Sequence, residues 1–273
     1  MILVVASNKD PASLNIKRQI LKNYNFKEAA KMEDESIYEA EINLKQVRLV
    51  TLNSESIHAQ NLTDQFADVD LAVFISRHSS ISGKPTLSVH TPGNLGDAQH
   101  GGIPREVSIS PANAMREALK EMMRIKQERK LDYDVSYEGT HHGPSLNVPT
   151  MFAELGSSAE QWKDEDAADV VAHAAMEAIS TFGNSPARTV LGIGGPHYNY
   201  KFTHLALEKN MAFGHMIPKY AVSQTDEVML KKCIQRTFEK VEAVILDWKG
   251  IKGEDKPRLM ESIEKTDLQT EKA

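Results

Sequence analysis

Residues 138 to 142 read Glu-Gly-Thr-His-His and bring one carboxylate and two adjacent imidazoles into five successive positions. Gly143 and Pro144 follow directly, and this pair favours a turn of the backbone. Histidine suits both metal ligation and proton transfer near neutral pH. A single histidine at a turn is more often a hydrogen-bonding residue of that turn, whereas the whole cluster favours a role in chemistry.

Five further polar clusters follow predicted strands, and four of them contain a histidine. They lie at 76–80, 90–94, 154–158, 192–198 and 213–220. In an open α/β sheet, the ends of parallel strands at one edge converge on a single crevice. Any one of these histidines is more often structural than catalytic, but that explanation is much weaker for all of them together. We therefore predict one shared cleft, lined by His78, Glu138, His141 or His142, His197 and His215.

The spacing of these residues matches no His-Glu-x-x-His helix, no Gly-x-Ser-x-Gly nucleophile turn and no Walker phosphate loop. Cys233 is the only cysteine, which excludes intrachain disulfides and Cys-x-x-Cys metal sites. Scattered histidines and carboxylates instead favour a hydrolytic metal ion, with zinc as the first choice. Zinc lowers the pKa of a bound water towards ~7 and would so provide a nucleophile for a carbonyl.

The central motif also predicts which side chains face the metal. Positions 138, 140 and 142 share one face if the chain stays extended, so Glu138 and His142 are the better ligand candidates. His141 would then point away and take part in proton transfer. Gly139 permits a bulge that would exchange the two faces. Our assignment to the metal is His142, Glu138 and His78, and our assignment to catalysis is Glu138, His141, His197 and His215.

The elements that must position these side chains are short apolar runs alternating with amphipathic segments. Strands are predicted at 2–6, 36–42, 46–52, 70–75, 86–90, 133–139, 149–155, 188–193, 212–217 and 242–246, the second and third as a hairpin. Helices are predicted from Pro11 to about 24, from Pro111 to about 130, from a capping box at 157–160 to about 182, and over 226–240 and 257–264. The acidic stretch 164–166 is interpreted as the solvated face of the third helix.

Composition places this chain among ordinary globular proteins, since 41% of its 273 residues are hydrophobic and 26% are charged. No repeat or linker interrupts it, so we predict one α/β domain over 1–273, with a mixed sheet, helices on both faces and a polar tail from about 265. No apolar stretch approaches the ~20 residues of a membrane helix, and the single cysteine suits a reduced, cytoplasmic location. The net charge of −6 argues against a general nucleic-acid coat protein.

Four motifs together resemble the archaeal and plant type of D-aminoacyl-tRNA deacylase. They are Ser-Arg-His-Ser-Ser at 76–80, Thr-His-His-Gly-Pro at 140–144, Gly-Ile-Gly-Gly-x-His-Tyr at 192–198 and Phe-Gly-His-x-x-Pro-Lys-Tyr at 213–220. The resemblance runs from residue 1 to about residue 250 and carries over motif positions, not individual roles. It implies a hydrolase that cleaves the ester between a D-amino acid and the terminal ribose of tRNA, with zinc as cofactor. It also implies a fold of the phosphorylase/peptidyl-tRNA-hydrolase kind.

A substrate of this kind must be held by its terminal ribose-phosphate. Arg77, Lys219 and a helix start at Ser157-Ser158 are the best-placed candidates, because guanidinium, ammonium and helix-start amides all bind phosphate. Lys219 is equally well explained as a surface residue after a proline turn. The acidic overall charge suits an enzyme that grips mainly the acceptor end, and a monomer is favoured.

Two other interpretations stay open. The first is a related metal-dependent peptidase, amidase or nucleoside-handling enzyme on the same fold. The second is a non-catalytic protein that binds the tRNA end and uses its histidines only as hydrogen-bonding groups. Stoichiometric zinc and loss of ester cleavage on chelation would separate a catalyst from a binding protein. Cleavage of a D-aminoacyl-tRNA beside a peptide and a nucleoside would separate the two enzymes.

Overall fold

A computed structural model describes residues 1–32, 35–184 and 187–273. The strands of the described residues are β1 (Ile2–Ser7), β2 (Lys27–Met32), β3 (Glu35–Ile42), β4 (Lys45–Leu52), β5 (Leu71–Arg77), β6 (Thr86–His90), β7 (Asp134–Tyr137), β8 (Thr150–Gly156), β9 (Arg188–Gly194), β10 (Met211–Ile217), β11 (Ala243–Asp247) and β12 (Gln269–Lys272). The helices are α1 (Pro11–Asn23), α2 (Leu62–Gln65), α3 (Ala112–Arg129), α4 (Glu165–Thr181), α5 (Tyr200–Glu208), α6 (Glu227–Gln235) and α7 (Lys256–Glu264).

The strands divide between two sheets. The larger has the order β2-β3-β4-β1-β5-β8-β6-β7, and the smaller has the order β10-β9-β11-β12. Parallel pairs such as β1–β5 and antiparallel pairs such as β3–β4 and β6–β8 occur in the larger sheet. The predicted mixed α/β class and the β3–β4 hairpin are therefore confirmed, whereas the single sheet that the sequence predicted is replaced by two.

The direction of β6 changes how strand ends can meet. β6 is antiparallel to β8, with His90 opposite Phe152, and β7 runs parallel to β6. The end of β6 therefore lies beside the start of β8, and the residues that follow β5 meet the last residues of β8. We predicted that the site forms where the ends of parallel strands converge at one edge of the sheet. This is wrong for the residues that follow β6, because β6 is antiparallel to β8.

The segment after β7 joins the two sheets. Glu138 forms an isolated bridge with Tyr198, and the Gly139 amide donates to the His197 carbonyl at 2.9 Å. The Thr140 amide donates to the carbonyl of Met216, on β10, at 2.8 Å. The residues of the central motif therefore lie where the loops after β7, β9 and β10 meet.

Helix starts follow their capping residues. Asp10 accepts from the Ser13 amide at 3.0 Å and Pro11 begins α1, as the sequence predicted. α4 does not begin at Ser157, where a capping box was predicted. It begins at Glu165, because Asp164 accepts from the Ala167 amide at 3.0 Å. The acidic stretch 164–166 therefore comprises the N-cap and the first residues of α4, where Glu165 and Asp166 are exposed to solvent, as the sequence predicted.

Four of the helices and strands had no counterpart in the sequence prediction, namely β2, α2, α5 and β12. β12 lies in the segment expected to be a polar tail and pairs in parallel with β11. The main core packs α1, α3 and α4 against the larger sheet, and the Met115, Leu119, Met122 and Ile125 side chains of α3 are buried in it, as expected. No helix in the described ranges has the length and apolarity required to cross a membrane.

Candidate active site

Glu138 is the centre of the site. Its side chain is fully buried directly after β7. Its Oε2 accepts a hydrogen bond from Nε2 of His197 at 2.9 Å and lies 3.7 Å from Nε2 of His141. Its Oε1 lies 3.2 Å from Nδ1 of His78. One buried carboxylate thus contacts three imidazoles, two of them from the predicted strand-end clusters and one from its own motif.

His78 lies between two carboxylates. Its Nδ1 is 3.2 Å from Glu138 and 3.4 Å from Oε2 of Glu154, and its Nε2 is 2.6 Å from the Tyr198 hydroxyl. Burial lowers the pKa of His78, but the charges of Glu138 and Glu154 outweigh burial and raise it to about 9. The Ser76 hydroxyl donates to the other oxygen of Glu154 at 2.7 Å, which fixes that carboxylate.

The pKa values of the two carboxylates are shifted in opposite directions. Burial raises the pKa of Glu154 to about 7, since it outweighs the hydrogen bond from His78. For Glu138, burial also acts to raise the pKa, but the charge of His78 and the hydrogen bond from His197 lower it below its ordinary value. Glu138 is therefore anionic and His78 cationic at neutral pH, which makes them a buried ion pair.

A second set of imidazoles consists of His90, His141 and His142, whose ring nitrogens lie within 4.8 Å of one another. Nδ1 of His141 donates to the Gly139 carbonyl at 2.9 Å, and Nδ1 of His142 donates to the Gly143 carbonyl at 2.7 Å. A carbonyl can only accept a hydrogen bond, so both histidines carry their proton on Nδ1, and Nε2 of each ring carries a lone pair. Nε2 of His142 lies 3.2 Å from Nε2 of His90.

Burial keeps these imidazoles neutral. It lowers the pKa of His142 to about 4 and, together with the neighbouring imidazoles, lowers the pKa of His90 and His141 well below the usual value. Neutral nitrogens whose other ring N–H is held by a backbone carbonyl are the form in which histidine binds metals. The chemistry and the spacing of this set therefore fit a zinc ion.

The predicted pairing of Glu138 with His142 is wrong. The chain does not stay extended beyond Glu138, because His142 has a positive φ of 41° and the Gly93 amide donates to its carbonyl at 2.6 Å. The two faces are therefore exchanged. His141 lies beside Glu138, and His142 faces His90.

His215 does not line the cleft, contrary to the sequence prediction. Its side chain is fully buried, its Nε2 donates to the Arg236 carbonyl at 3.1 Å, and its Nδ1 lies 3.1 Å from the Thr140 hydroxyl. The pairing register of β10 shifts between Phe213 and Met216, next to this residue. His215 therefore contacts the central motif from its buried side, through the Thr140 hydroxyl.

The candidates for phosphate binding have different surroundings. The Ser157 hydroxyl donates to the Lys84 carbonyl at 2.6 Å and the Ser158 hydroxyl donates to Gln161 at 2.7 Å. Neither serine lies at the start of α4, which begins at Glu165. Arg77 faces a cavity, but its guanidinium donates to both oxygens of Glu55 at 3.0 and 3.1 Å. Lys219 is exposed.

Two cavities meet at this site and share His100, His141 and His142. The larger cavity has a volume of about 650 Å³ and contains the side chains of His78, Glu154, His197 and Tyr198. The smaller cavity has a volume of about 350 Å³ and lies beside Thr140, Tyr220 and Gln224. The imidazoles of the central motif are therefore accessible from two sides.

Sequence reasoning gave no role to His90, Glu154, Tyr198, Tyr220 and His100. The first four fall within the polar clusters or the motifs, so membership in a strand-end cluster was the available signal. The Tyr220 hydroxyl contacts Nδ1 of His197 at 3.1 Å. Nothing in the spacing marks His100, which reaches the site because the Gly143 amide donates to its carbonyl at 2.9 Å.

Comparison with known proteins identifies the family. The model of the D-aminoacyl-tRNA deacylase family matches residues 65–271. The D-aminoacyl-tRNA deacylase of Pyrococcus abyssi is 38% identical over 261 residues, which cover 93% of each chain, and that of Methanococcus maripaludis strain C7 is 36% identical over 276 residues, or 97% of each chain. The chain therefore belongs to the D-aminoacyl-tRNA deacylase family, which confirms the family that the four motifs predicted.

The fold of the whole chain is shared with a solved structure. The crystal structure of a conserved protein of unknown function superposes with a TM-score of 0.88 and 30% identity, covering 100% of this chain and 95% of that chain. The Campylobacter jejuni 5'-methylthioadenosine/S-adenosyl homocysteine nucleosidase covers 66% of this chain with a TM-score of 0.42 and 10% identity, values too low to support an inference.

Proposed function

We propose that this member of the deacylase family hydrolyses the ester of D-aminoacyl-tRNA with Glu138, His197 and His78 as the proton-handling groups. The observation that carries the proposal is the contact of one buried carboxylate with three histidines, at a wall that two cavities share. An ester lying at that wall has room for its acyl group on one side and for its ribose on the other. Ester hydrolysis further requires an activated water and stabilisation of the developing oxyanion.

His197 is the proposed general base. Its Nε2–H donates to Glu138, so its Nδ1 carries the lone pair and accepts the Tyr220 hydroxyl proton as a hydrogen bond. A water in place of that contact would transfer its proton to Nδ1 as it attacks the carbonyl. The anionic Glu138 would stabilise the resulting imidazolium, as a carboxylate does beside a catalytic histidine.

His78 is the proposed acid for the leaving ribose oxygen. It is protonated at neutral pH, and its Nε2 lies 2.6 Å from the Tyr198 hydroxyl, which faces the larger cavity. A proton can therefore pass from His78 through the phenol to the ribose oxygen. Glu154 and Ser76 hold the imidazole in place for this transfer.

Zinc would be held by His90, His141 and His142. This set replaces our sequence-based set of His142, Glu138 and His78, because Glu138 and His78 form an ion pair with each other. A zinc ion at these nitrogens would supply Lewis-acid polarisation of the ester carbonyl. The backbone carbonyls of Gly139 and Gly143 fix the orientation of two of the three rings.

The function is tested by release of the amino acid from D-tyrosyl-tRNA and L-tyrosyl-tRNA by the purified protein. We expect rapid cleavage of the D form only. A His197→Ala variant should lose about 10²- to 10⁴-fold in kcat, the usual contribution of a general base. Absence of cleavage by the unmodified protein would overturn the proposed function, and full activity of the variant would remove His197 from the mechanism.

The metal ligands are tested separately by elemental analysis of the purified protein. His90→Ala and His142→Ala should each lower the zinc content, since each removes one of three proposed ligands. His204→Ala is the matched control, because His204 is exposed on α5. Unchanged zinc in both ligand variants would remove this set from the metal site.

A further inference from the structure

A basic groove with an aromatic wall lies next to the larger cavity. It has a volume of about 690 Å³ and lies between α1 and the turn that precedes α4. Its lining residues are Pro11, Leu14, Lys17, Arg18, Leu21, Trp162, Lys163 and Glu165. Three cations and one carboxylate thus surround an apolar floor, although the protein as a whole is acidic.

Trp162 connects this groove to the site. Its indole N–H donates to the carbonyl of His78 at 2.9 Å, and the guanidinium of Arg77, which lines the larger cavity, lies 5.7 Å from its ring. The Asn15 side chain of α1 donates to the Trp162 carbonyl at 3.1 Å. The indole is therefore fixed in orientation and remains partly exposed. A ligand that lies across it has the larger cavity at one end and the groove at the other.

Two of the groove cations are free to bind a ligand. Among the described residues, neither Arg18 nor Lys163 has a carboxylate within ion-pair distance, and both are exposed. The Arg18 guanidinium donates to the side-chain oxygen of Asn15 at 3.4 Å. Lys17 differs, since its ammonium donates to the Thr51 hydroxyl at 2.7 Å and lies 4.0 Å from Glu35.

We propose that this groove binds the single-stranded 3′ end of the tRNA, with a base against Trp162 and backbone phosphates at Arg18 and Lys163. The inference rests on the proposed function, because it is the ester at the end of this strand that must reach Glu138. Proteins bind single strands by such a pairing of aromatic rings with a basic track. The terminal nucleoside then enters the larger cavity past Arg77, and the D-aminoacyl group lies in the smaller cavity.

Charge reversal tests the phosphate contacts. In the Arg18→Glu/Lys163→Glu variant, the KM for D-tyrosyl-tRNA should rise about tenfold at low salt, and the salt dependence of kcat/KM should flatten. The rate on D-tyrosyl-adenosine should stay unchanged, because that substrate has no phosphate that could contact Arg18 or Lys163. Lys209→Glu/Lys240→Glu is the matched control, with the same charge change at the amino-terminal ends of β10 and β11.

The outcomes separate the two proposals. If the groove variant and the control variant raise the KM for D-tyrosyl-tRNA equally, the effect is general electrostatics. That result would overturn the proposal that the groove binds the tRNA. If the groove variant loses as much activity on D-tyrosyl-adenosine as on D-tyrosyl-tRNA, Arg18 and Lys163 act at the active site itself. That result would also overturn the proposed groove. If the unmodified protein cleaves neither substrate, the proposed function has failed. Cleavage of both substrates with an unchanged KM in the groove variant is failure of the groove alone.

Stacking on the indole is tested by fluorescence. The chain has two tryptophans, so Trp248→Phe leaves Trp162 as the only tryptophan. Addition of the trinucleotide CCA should quench its emission with saturation, and the quenching should weaken at least several-fold when Arg18 and Lys163 are also reversed. Emission that does not change on addition of the trinucleotide would overturn the contact with Trp162.

Discussion

The two cavities that meet at the imidazoles of His141 and His142 differ in the chemistry of their walls. The larger one is ionic, with the side chains of Asp10, Glu55, Arg77, His78 and Glu154. The smaller one has one carboxylate, that of Asp97, and otherwise uncharged groups such as the amides of Asn94, Gln99 and Gln224. Several charges on one side suit proton transfer and a polyanionic RNA, whereas a wall with fewer charges can select an acyl group by shape.

The charges of the larger cavity are also held more firmly. Asp10 accepts from the Arg77 amide at 2.7 Å, the Arg77 side chain binds Glu55, and Ser76 binds Glu154. In the smaller cavity, Asp97, Gln99 and His100 are exposed residues of one loop. Groups that move protons are therefore preorganised, while part of the acyl side can adapt to different side chains. Replacements in and around the two cavities test this division.

Glu138→Gln should have the largest effect, because this carboxylate lies beneath both cavities. Loss of the negative charge leaves His78 with its contact to Glu154, at 3.4 Å, and removes the group that stabilises the His197 imidazolium. We expect kcat to fall about 10³-fold on D-tyrosyl-tRNA and on D-tyrosyl-adenosine alike, with little change in KM. Steady-state kinetics on both substrates measures kcat and KM, with Glu160→Gln on the surface as control. A loss below tenfold, in a variant with normal unfolding temperature, would contradict the central role of Glu138.

His215 tests the contrast between groups inside and outside the cavities. Burial lowers its pKa to about 4, so the folded protein keeps it neutral while the unfolded chain takes up a proton below about 6.5. The unfolded state then binds more protons, and stability falls as pH falls from about 6.5 to 4, by about 3 kcal/mol from this residue. His215→Gln should lose that part of the acid sensitivity.

Denaturant unfolding of the two proteins at several pH values measures the difference. His204→Gln, at an exposed position, serves as the control and should keep the pH dependence of the unmodified protein. At pH 7, where both forms are folded, His215→Gln should retain the KM for D-tyrosyl-tRNA, because the residue lies outside both cavities. Identical pH dependence in the variant would show that His215 is not the buried neutral group described here.

The sequence was sufficient for the local pattern but not for side-chain directions. Alternation and turn residues predicted the strands that carry the site, and three clusters far apart in the chain do supply His78, Glu138 and His197 to one place. The turn of His142 towards His90 and away from Glu138 accompanies a left-handed backbone at His142, whose carbonyl accepts a tertiary hydrogen bond from Gly93. No pattern of residue types encodes that contact.

Other differences have similar causes. His215 has the neighbours of a catalytic residue in the sequence, but the register shift in β10 and the Arg236 carbonyl draw it inwards. Ser157 and Ser158 fit a helix start, yet the side chain that caps α4 is that of Asp164, seven and six positions later. β12 is an edge strand whose exposed residues are polar on both faces, so it lacks the alternation that marks a strand.

Gln224→Ala is expected to have a moderate effect, confined to the smaller cavity. Its side-chain oxygen lies close to Gly96 across this cavity, so truncation enlarges the space for the acyl group. We expect kcat/KM for D-tryptophanyl-tRNA to rise about threefold relative to D-alanyl-tRNA, an effect typical of a small change in pocket volume. Ser79→Ala, in the larger cavity, is the control and should leave the ratio unchanged. A shift in the control and not in Gln224→Ala would exchange the two cavity assignments.

Lys219→Ala should have the smallest effect and so sharpens the comparison. Lys219 is exposed, follows Pro218 and precedes Tyr220, which lines the smaller cavity. If the RNA arrives across Trp162, its phosphates lie on the side of the larger cavity and Lys219 contributes only a distant charge. We expect the KM for D-tyrosyl-tRNA to rise no more than about twofold at low salt, with no effect on D-tyrosyl-adenosine. A tenfold, salt-dependent rise of the KM would instead place the RNA phosphates at Lys219, so that the 3′ end of the tRNA would approach from the side of the smaller cavity. Equal losses of turnover on both substrates would mean that Lys219 serves the chemical step or the fold, because a phosphate contact cannot affect a substrate that has no phosphate.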